Sequence, residues 1–164
     1  MPDYLLDTNI LIAAKELLPM DIFPSFWQKL YDLANSGYIH SITKVKEEVD
    51  RGNNSDPLVS WCNTLPSSFF ISFDSSIIPS YRTVISWSQG CSIYTPAALA
   101  EFSRVDIADA FLVATALKLG CLIVTNEVSA PQCKSRVKIP DVARGVGVGC
   151  ISFNDMLRRL HVSL

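Results

Sequence analysis

Apolar positions along the chain fall into two kinds of stretch, short solid runs and longer spaced ones, and the two alternate. Tyr4, Leu5 and Leu6 form a compact run that ends at Asp7 and predicts a buried strand. Thr8 and Asn9 are residues that open helices, and the apolar pattern of residues 10–18 behind them predicts one, closed by Pro19. Phe26, Leu30 and Leu33 recur at helical spacing, with Gly37 as the stop. Residues 38–42 predict a second strand, followed by a helix over residues 44–50 that Ser41 or Thr43 caps. Val45 and Val49 face the core of that helix, so Glu47 and Glu48 flank its apolar stripe. Residues 51–57 are loop by composition, and residues 58–65 a short helix. Residues 69–73 read equally as a strand or a buried connector. Helices are expected at residues 80–88 and 96–103, the second capped by Thr95 with Pro96 in its first position.

The stretch 105–127 organises the remainder. Asp106 reads as an N-cap and Asp109 as an acid in the first turn, where the helix dipole favours it. The apolar residues that follow predict a buried helix halted by Gly120, and residues 121–125 an interior strand that ends in Asn126 and Glu127. Such a helix covers roughly 20 Å and such a strand about 16 Å, so the strand nearly retraces the helix. Asp109 and Glu127 are thereby expected at one sheet edge, the carboxyl end of the strands, where open α/β folds place their sites. An irregular run follows, then a last strand over residues 148–153 and a final helix through Leu160 capped by Asn154. Alternating strands and helices predict an α/β fold with a parallel sheet covered on both faces.

With 164 residues, 49% of them hydrophobic, the chain suits one well-buried domain spanning residues 1–164. A formal charge of −2 gives no basic field over the whole molecule, so nucleic-acid binding would need a local patch or metal ions. Five scattered cysteines without a CxxC pair, and two histidines, His40 and His161, argue against a zinc site or a disulfide framework. The N-terminus has no basic start with an apolar core, and no run of 18 apolar residues occurs; a soluble cytoplasmic protein is expected. Gly145, Gly147 and Gly149 precede a strand instead of following one and fail the dinucleotide fingerprint. Trp27, Trp61 and Trp87 fit packing positions better than base-stacking platforms.

Asp7, one of Glu47 and Glu48, Asp109 and Glu127 all project to the same edge. Two carboxylates about 4 Å apart repel by roughly 4 kcal/mol at an effective dielectric near 20, so such a group calls for protons or cations. Oxygen donors without histidine or thiolate suit Mg²⁺ or Mn²⁺, ions that bind phosphate oxygens and acidify water. Phosphodiester hydrolysis is the chemistry this implies. The most basic window, with Lys134, Arg136, Lys138 and Arg144 against Asp141, reads either as a phosphate contact or as a solvated loop.

YLLDTN near the N-terminus, an acid in a VxxEV setting, DxADAFLVATA and IVTNE together resemble the PIN-domain nucleases, which include VapC-type toxins of toxin–antitoxin modules. DIFPSFW, the KIPDV run and GVGVGCISFNDML further resemble a poorly characterised prokaryotic PIN-like branch. The resemblance covers nearly the whole chain. It implies a Rossmann-like three-layer α/β/α sandwich with a mainly parallel sheet of four or five strands, and an endoribonuclease dependent on Mg²⁺ or Mn²⁺. By the same resemblance Asp7, Glu48, Asp109 and Glu127 are the metal-binding and catalytic acids, Glu48 being preferred to Glu47 because Val49 then matches the apolar residue that follows. Glu127 stands where many members have aspartate. Asn9 matches the polar residue that supports the first acid. An antitoxin partner and a homodimer are also implied. Two rival readings are a non-catalytic protein- or RNA-binding module on the same fold, and a phosphotransferase with Asp7 as nucleophile. The second is weakened by Asn9, which stands where the haloacid-dehalogenase pattern has an aspartate.

Overall fold

The computed structural model describes residues 3–163. Five parallel strands form the sheet, β1 (Tyr4–Leu6), β2 (Ile39–Ile42), β3 (Phe70–Ile71), β4 (Leu122–Val124) and β5 (Cys150–Ile151), in the spatial order β3-β2-β1-β4-β5. Around it run α1 (Thr8–Leu17), α2 (Pro24–Asn35), α3 (Thr43–Asp50), α4 (Pro57–Thr64), α5 (Ile78–Gly90), α6 (Pro96–Phe102), α7 (Asp109–Leu119), α8 (Ile139–Gly145) and α9 (Phe153–Arg159). The fold is the α/β arrangement expected, with the sheet at the upper end of the strand count. The chain builds outward from β1 through β2 to β3, then returns to the other side of β1 for β4 and β5. Strand order therefore reverses between β1 and β4, and a crevice opens there at the carboxyl ends of the strands.

Local chemistry explains most element ends. Gly37 and Gly120 both adopt left-handed backbone, with φ of +78° and +70°, and stop α2 and α7 where side-chain-bearing residues would be strained. Seven consecutive residues of α7, Ala110 to Ala116, are buried. Such a helix has no solvent face over that span, and small residues on it allow close approach to the sheet and to α5. The aromatic trio Phe73, Tyr81 and Phe111 fills the α5–α7 seam, with Phe111 stacked on Tyr81 at 4.8 Å and met edge-on by Phe73 at 5.1 Å. Phe69 is fully buried and leads into β3, so residues 69–73 are partly strand and partly connector.

Several boundaries differ from expectation. Asp106 does not cap α7: the helix begins at Asp109 behind Ala108, and Asp106 instead faces solvent and pairs with Arg104 through both carboxylate oxygens. Arg104, two places earlier, competes for the carboxylate that the backbone would otherwise use. Neither Ser41 nor Thr43 caps α3; Ser41 Oγ donates to the Leu6 carbonyl at 2.7 Å, tying β2 to β1. Ser152 rather than Asn154 caps α9, accepting from the Asp155 amide at 3.1 Å, which shortens the last strand to β5. The largest omission is α8, in a window whose many charges obscured the Ile139, Val142 and Ala143 stripe that is buried. Asp141, read as part of that charged surface, is buried and accepts from Ser129 Oγ at 2.5 Å and the Ala130 amide at 2.9 Å. Among the described residues, no helix is long and apolar enough to cross a membrane.

Candidate functional site

Asp7 leaves β1 at the strand-order reversal and is the N-cap of α1 by backbone conformation, without a side-chain cap bond. Its carboxylate is only 2% exposed and accepts from Thr125 Oγ1, at the end of β4, at 3.0 Å. Burial pushes the Asp7 pKa up to about 6, against the Thr125 bond and the Asn9 amide, which lower it; the charges of Glu127 and Glu48 add to the rise. Asp109 sits at the first turn of α7, and burial, followed by the charges of Asp7 and Glu127, pushes its pKa to about 7 even though Arg136 opposes the shift. Both acids thus want a positive charge or a proton near neutrality.

Glu48 enters the same space from α3. Thr8 Oγ1 donates to its Oε2 at 2.5 Å, and the Ala108 amide, one residue before α7, donates to Oε1 at 2.7 Å. One carboxylate therefore ties α1, α3 and α7 together at the sheet edge. Glu47 points elsewhere, half-exposed and paired with Lys44 at 3.3 Å. Asp7, Thr8, Asn9, Glu48, Asp109 and Arg136 line a cleft of about 160 Å³, closed on its other wall by α6 and Val137.

Glu127 joins the group from behind. Its Oε2 accepts from the Ile139 amide at the start of α8 at 2.6 Å, and its own amide donates to Thr125 Oγ1 at 3.1 Å. Thr125 is a relay: it accepts from Glu127 and donates to Asp7. The Glu127 Oε1 atom is buried and lies 3.0 Å from Arg136 Nη2 and 3.9 Å from Lys138 Nζ. Neither cation aligns an N–H with it, so this oxygen has ion-pair partners and no formed hydrogen bond. Arg136 Nη2 also lies 3.6 Å from Asp109 Oδ2.

The expected residues separate accordingly. Asp7, Glu48 and Asp109 share the cleft with Asn9 and Arg136, and Glu127 is linked to them through Arg136 and Thr125. Asn9 supports Asp7 with its backbone amide, which any residue could supply, and its exposed side chain lines the cleft. Lys138 lies beside Glu127, whereas Lys134 is exposed and engages the fold through its carbonyl, which accepts from the Thr95 amide at 3.0 Å. Thr8, Thr125 and the Ile139 amide were missed as supports. Polar residues directly after a buried strand, as at Thr125, are the one signal in the sequence that points to them.

The donor set suits a hard divalent cation: carboxylates alone, an excess of negative charge, and a buried carboxylate oxygen without a hydrogen bond. Their spacing as it stands does not yet make a cation site, since among the described residues no three His, Cys, Asp or Glu converge closely enough to hold one. The Arg136 guanidinium provides positive charge there instead.

Known structures share this architecture. VapBC2 from Rickettsia felis, solved bound to a DNA fragment from their promoter, matches with a TM-score of 0.54 and 16% identity over 91% of this chain and 97% of that one. FitAcB from Neisseria gonorrhoeae matches with a TM-score of 0.51 and 14% identity over 90% and 96%. At such identities the likeness is one of fold, and the fold is PIN-like. No curated protein matches the sequence. Residues 4–164, all but the first three of the chain, match the family described as Domain of unknown function (DUF4411), and the chain belongs to that family.

Proposed function

We propose that this chain is a single-domain cytoplasmic endoribonuclease that uses Mg²⁺ or Mn²⁺, and that it is the toxin of a toxin–antitoxin pair. The observation that carries the reading is the meeting of Asp7, Glu48 and Asp109 in one cleft at the strand-order reversal, with Asp7 and Asp109 short of positive charge. A bound divalent ion supplies that charge, polarises a phosphate and acidifies a water. Asp7, Asp109 and the Glu127 oxygen that lacks a hydrogen bond, Oε1, are the groups that would hold it. Glu48 positions: with both oxygens already bonded to Thr8 and Ala108, it fixes the mouth of the cleft. Arg136 and Lys138, with Lys134 further out, receive the phosphates on the solvent side. The architecture shared with VapBC2 and FitAcB supports an antitoxin partner, and a homodimer is proposed from the resemblance to PIN-domain nucleases alone.

Purified protein given Mn²⁺ cleaves RNA, and Asp7→Asn or Asp109→Asn lowers the rate by at least about a hundredfold, on the scale of losing a transition-state charge stabiliser. Variants with unchanged rates would remove the reading. Single-stranded DNA offered beside RNA separates ribonuclease from general nuclease activity. A second reading, a non-catalytic binding module, draws on Arg136 already neutralising Asp109 and Glu127. It is supported instead when calorimetry detects RNA binding by metal-free protein and no uptake of Mn²⁺.

A further inference from the structure

Arg136 reaches into the acid cluster from solvent. Its side chain is 46% exposed, whereas the carboxylates it meets, Asp109 and Glu127, are 16% and 7% exposed. The guanidinium is therefore the replaceable member of the group, and the acids are the fixed ones. Backbone on both sides of Arg136 is held: the Lys134 carbonyl accepts from the Thr95 amide, and Val137 is buried in the wall of the cleft. Removing the guanidinium from the acids thus needs only rotation about its own side-chain bonds, with no loop movement. What it leaves behind is an acidic pair with a buried oxygen, Glu127 Oε1, that Arg136 approaches without a formed hydrogen bond.

We propose that Arg136 is a built-in counter-ion that competes with the divalent cation for Asp109 and Glu127, and that the cation binds by displacing its guanidinium toward solvent. The proposal rests on the metal-binding part of the function proposed above. The guanidinium stands where a cation would meet both acids: a single nitrogen, Nη2, lies 3.0 Å from Glu127 Oε1 and 3.6 Å from Asp109 Oδ2. It also gives the buried acids a partner during folding, when a cluster of unpaired carboxylates would be costly. Lys138 pairs with Glu127 at 3.9 Å but, unlike Arg136, not with Asp109, so it does not bridge the two acids.

Mn²⁺ titration by calorimetry at pH 8 on the whole protein tests this. Arg136→Gln binds Mn²⁺ roughly three- to tenfold more tightly than the parent, the range set by an exposed cation paired with two partly buried acids. Arg136→Lys, which keeps the charge on a shorter and more strongly hydrated head, falls between them. Arg158→Gln, the same charge change on α9 where Arg158 pairs with Asp155, leaves Mn²⁺ affinity unaltered. Melting temperatures give a readout independent of catalysis: added Mn²⁺ raises that of Arg136→Gln by more than it raises that of the parent. Equal or weaker Mn²⁺ binding by folded Arg136→Gln and Arg136→Lys overturns the counter-ion role and leaves the nuclease reading standing. Tighter Mn²⁺ binding by Arg136→Gln together with no RNA cleavage by the parent has the reverse effect. Absence of Mn²⁺ binding in parent and variants alike overturns both.

Discussion

Asp7 and Asp109 owe their raised pKa values first to burial and then to neighbouring acids, and this has a consequence for stability that needs no substrate to observe. In an unfolded chain both titrate near the ordinary 3.8; in the folded protein they titrate at about 6 and about 7. Between those limits the folded state holds more protons than the unfolded one, so each acid contributes stability at low pH that is lost as pH rises through its folded pKa. Asp56, held down by Lys15, and His40, held down by burial, run the opposite way and blur the total. The difference between variant and parent isolates the effect. Asp109→Asn and the metal-free parent are expected to be alike near pH 3, below the unfolded pKa, and to diverge in favour of the variant by pH 7 and above, by on the order of a few kcal/mol. Chemical denaturation in a chelating buffer at the two pH values measures it; a constant difference would mean that Asp109 is not burdened by its surroundings.

At the scale of elements, α8 does more for the site than its seven residues promise. Its first amide holds Glu127, Asp141 within it fastens Ser129 and Ala130, and the segment that enters it carries Arg136 and Lys138. The helix is itself docked on α5, where the Trp87 indole comes so close to Gly145 that a Cβ there would lie 2.1 Å from a ring carbon. Gly145→Ala is accordingly expected to cost about 1–3 kcal/mol by overpacking, and to weaken Mn²⁺ binding as Glu127 loses its tether. Replacing Trp87 with leucine in the same protein restores part of the stability, a coupling that urea melts of the single and double variants detect. The same helix marks the limit of what the sequence discloses. β1, β2, β4, α1, α2 and α7 were legible because solid apolar runs and glycine stops are local signals, and Asp7, Asp109 and Glu127 were legible because they sit at the ends of those elements. α8 was not, since its buried stripe is three residues long and lies among charges whose partners, such as Ser129 for Asp141, are set by tertiary contacts. Thr8 and Thr125 were hidden for a related reason: a threonine that caps a helix and one that orients a carboxylate look alike in one dimension.

Across the whole molecule, the reversal of strand order puts Asp7, Glu48 and Asp109 around one cleft at the carboxyl edge of the sheet, while the net charge of −2 offers RNA no general attraction. On the function proposed, RNA binding would draw on the cation and on few basic side chains, Arg136 in the cleft, Lys138 beside Glu127 and the exposed Lys134. A protein that neutralises few phosphates has a shallow dependence on salt. For single strands each contact contributes about −0.7 to the slope of log affinity against log salt, so three contacts give a slope near −2, far below that of a broad basic surface. Fluorescence anisotropy with a short RNA and Ca²⁺ in place of the catalytic ion measures this without turnover. Lys138→Gln is expected to make the slope shallower by about 0.7, and Lys134→Gln to do the same only if RNA extends along the 126–138 segment. A steep slope that survives both substitutions would place the phosphate-binding surface elsewhere on the molecule and separate it from the acid cleft.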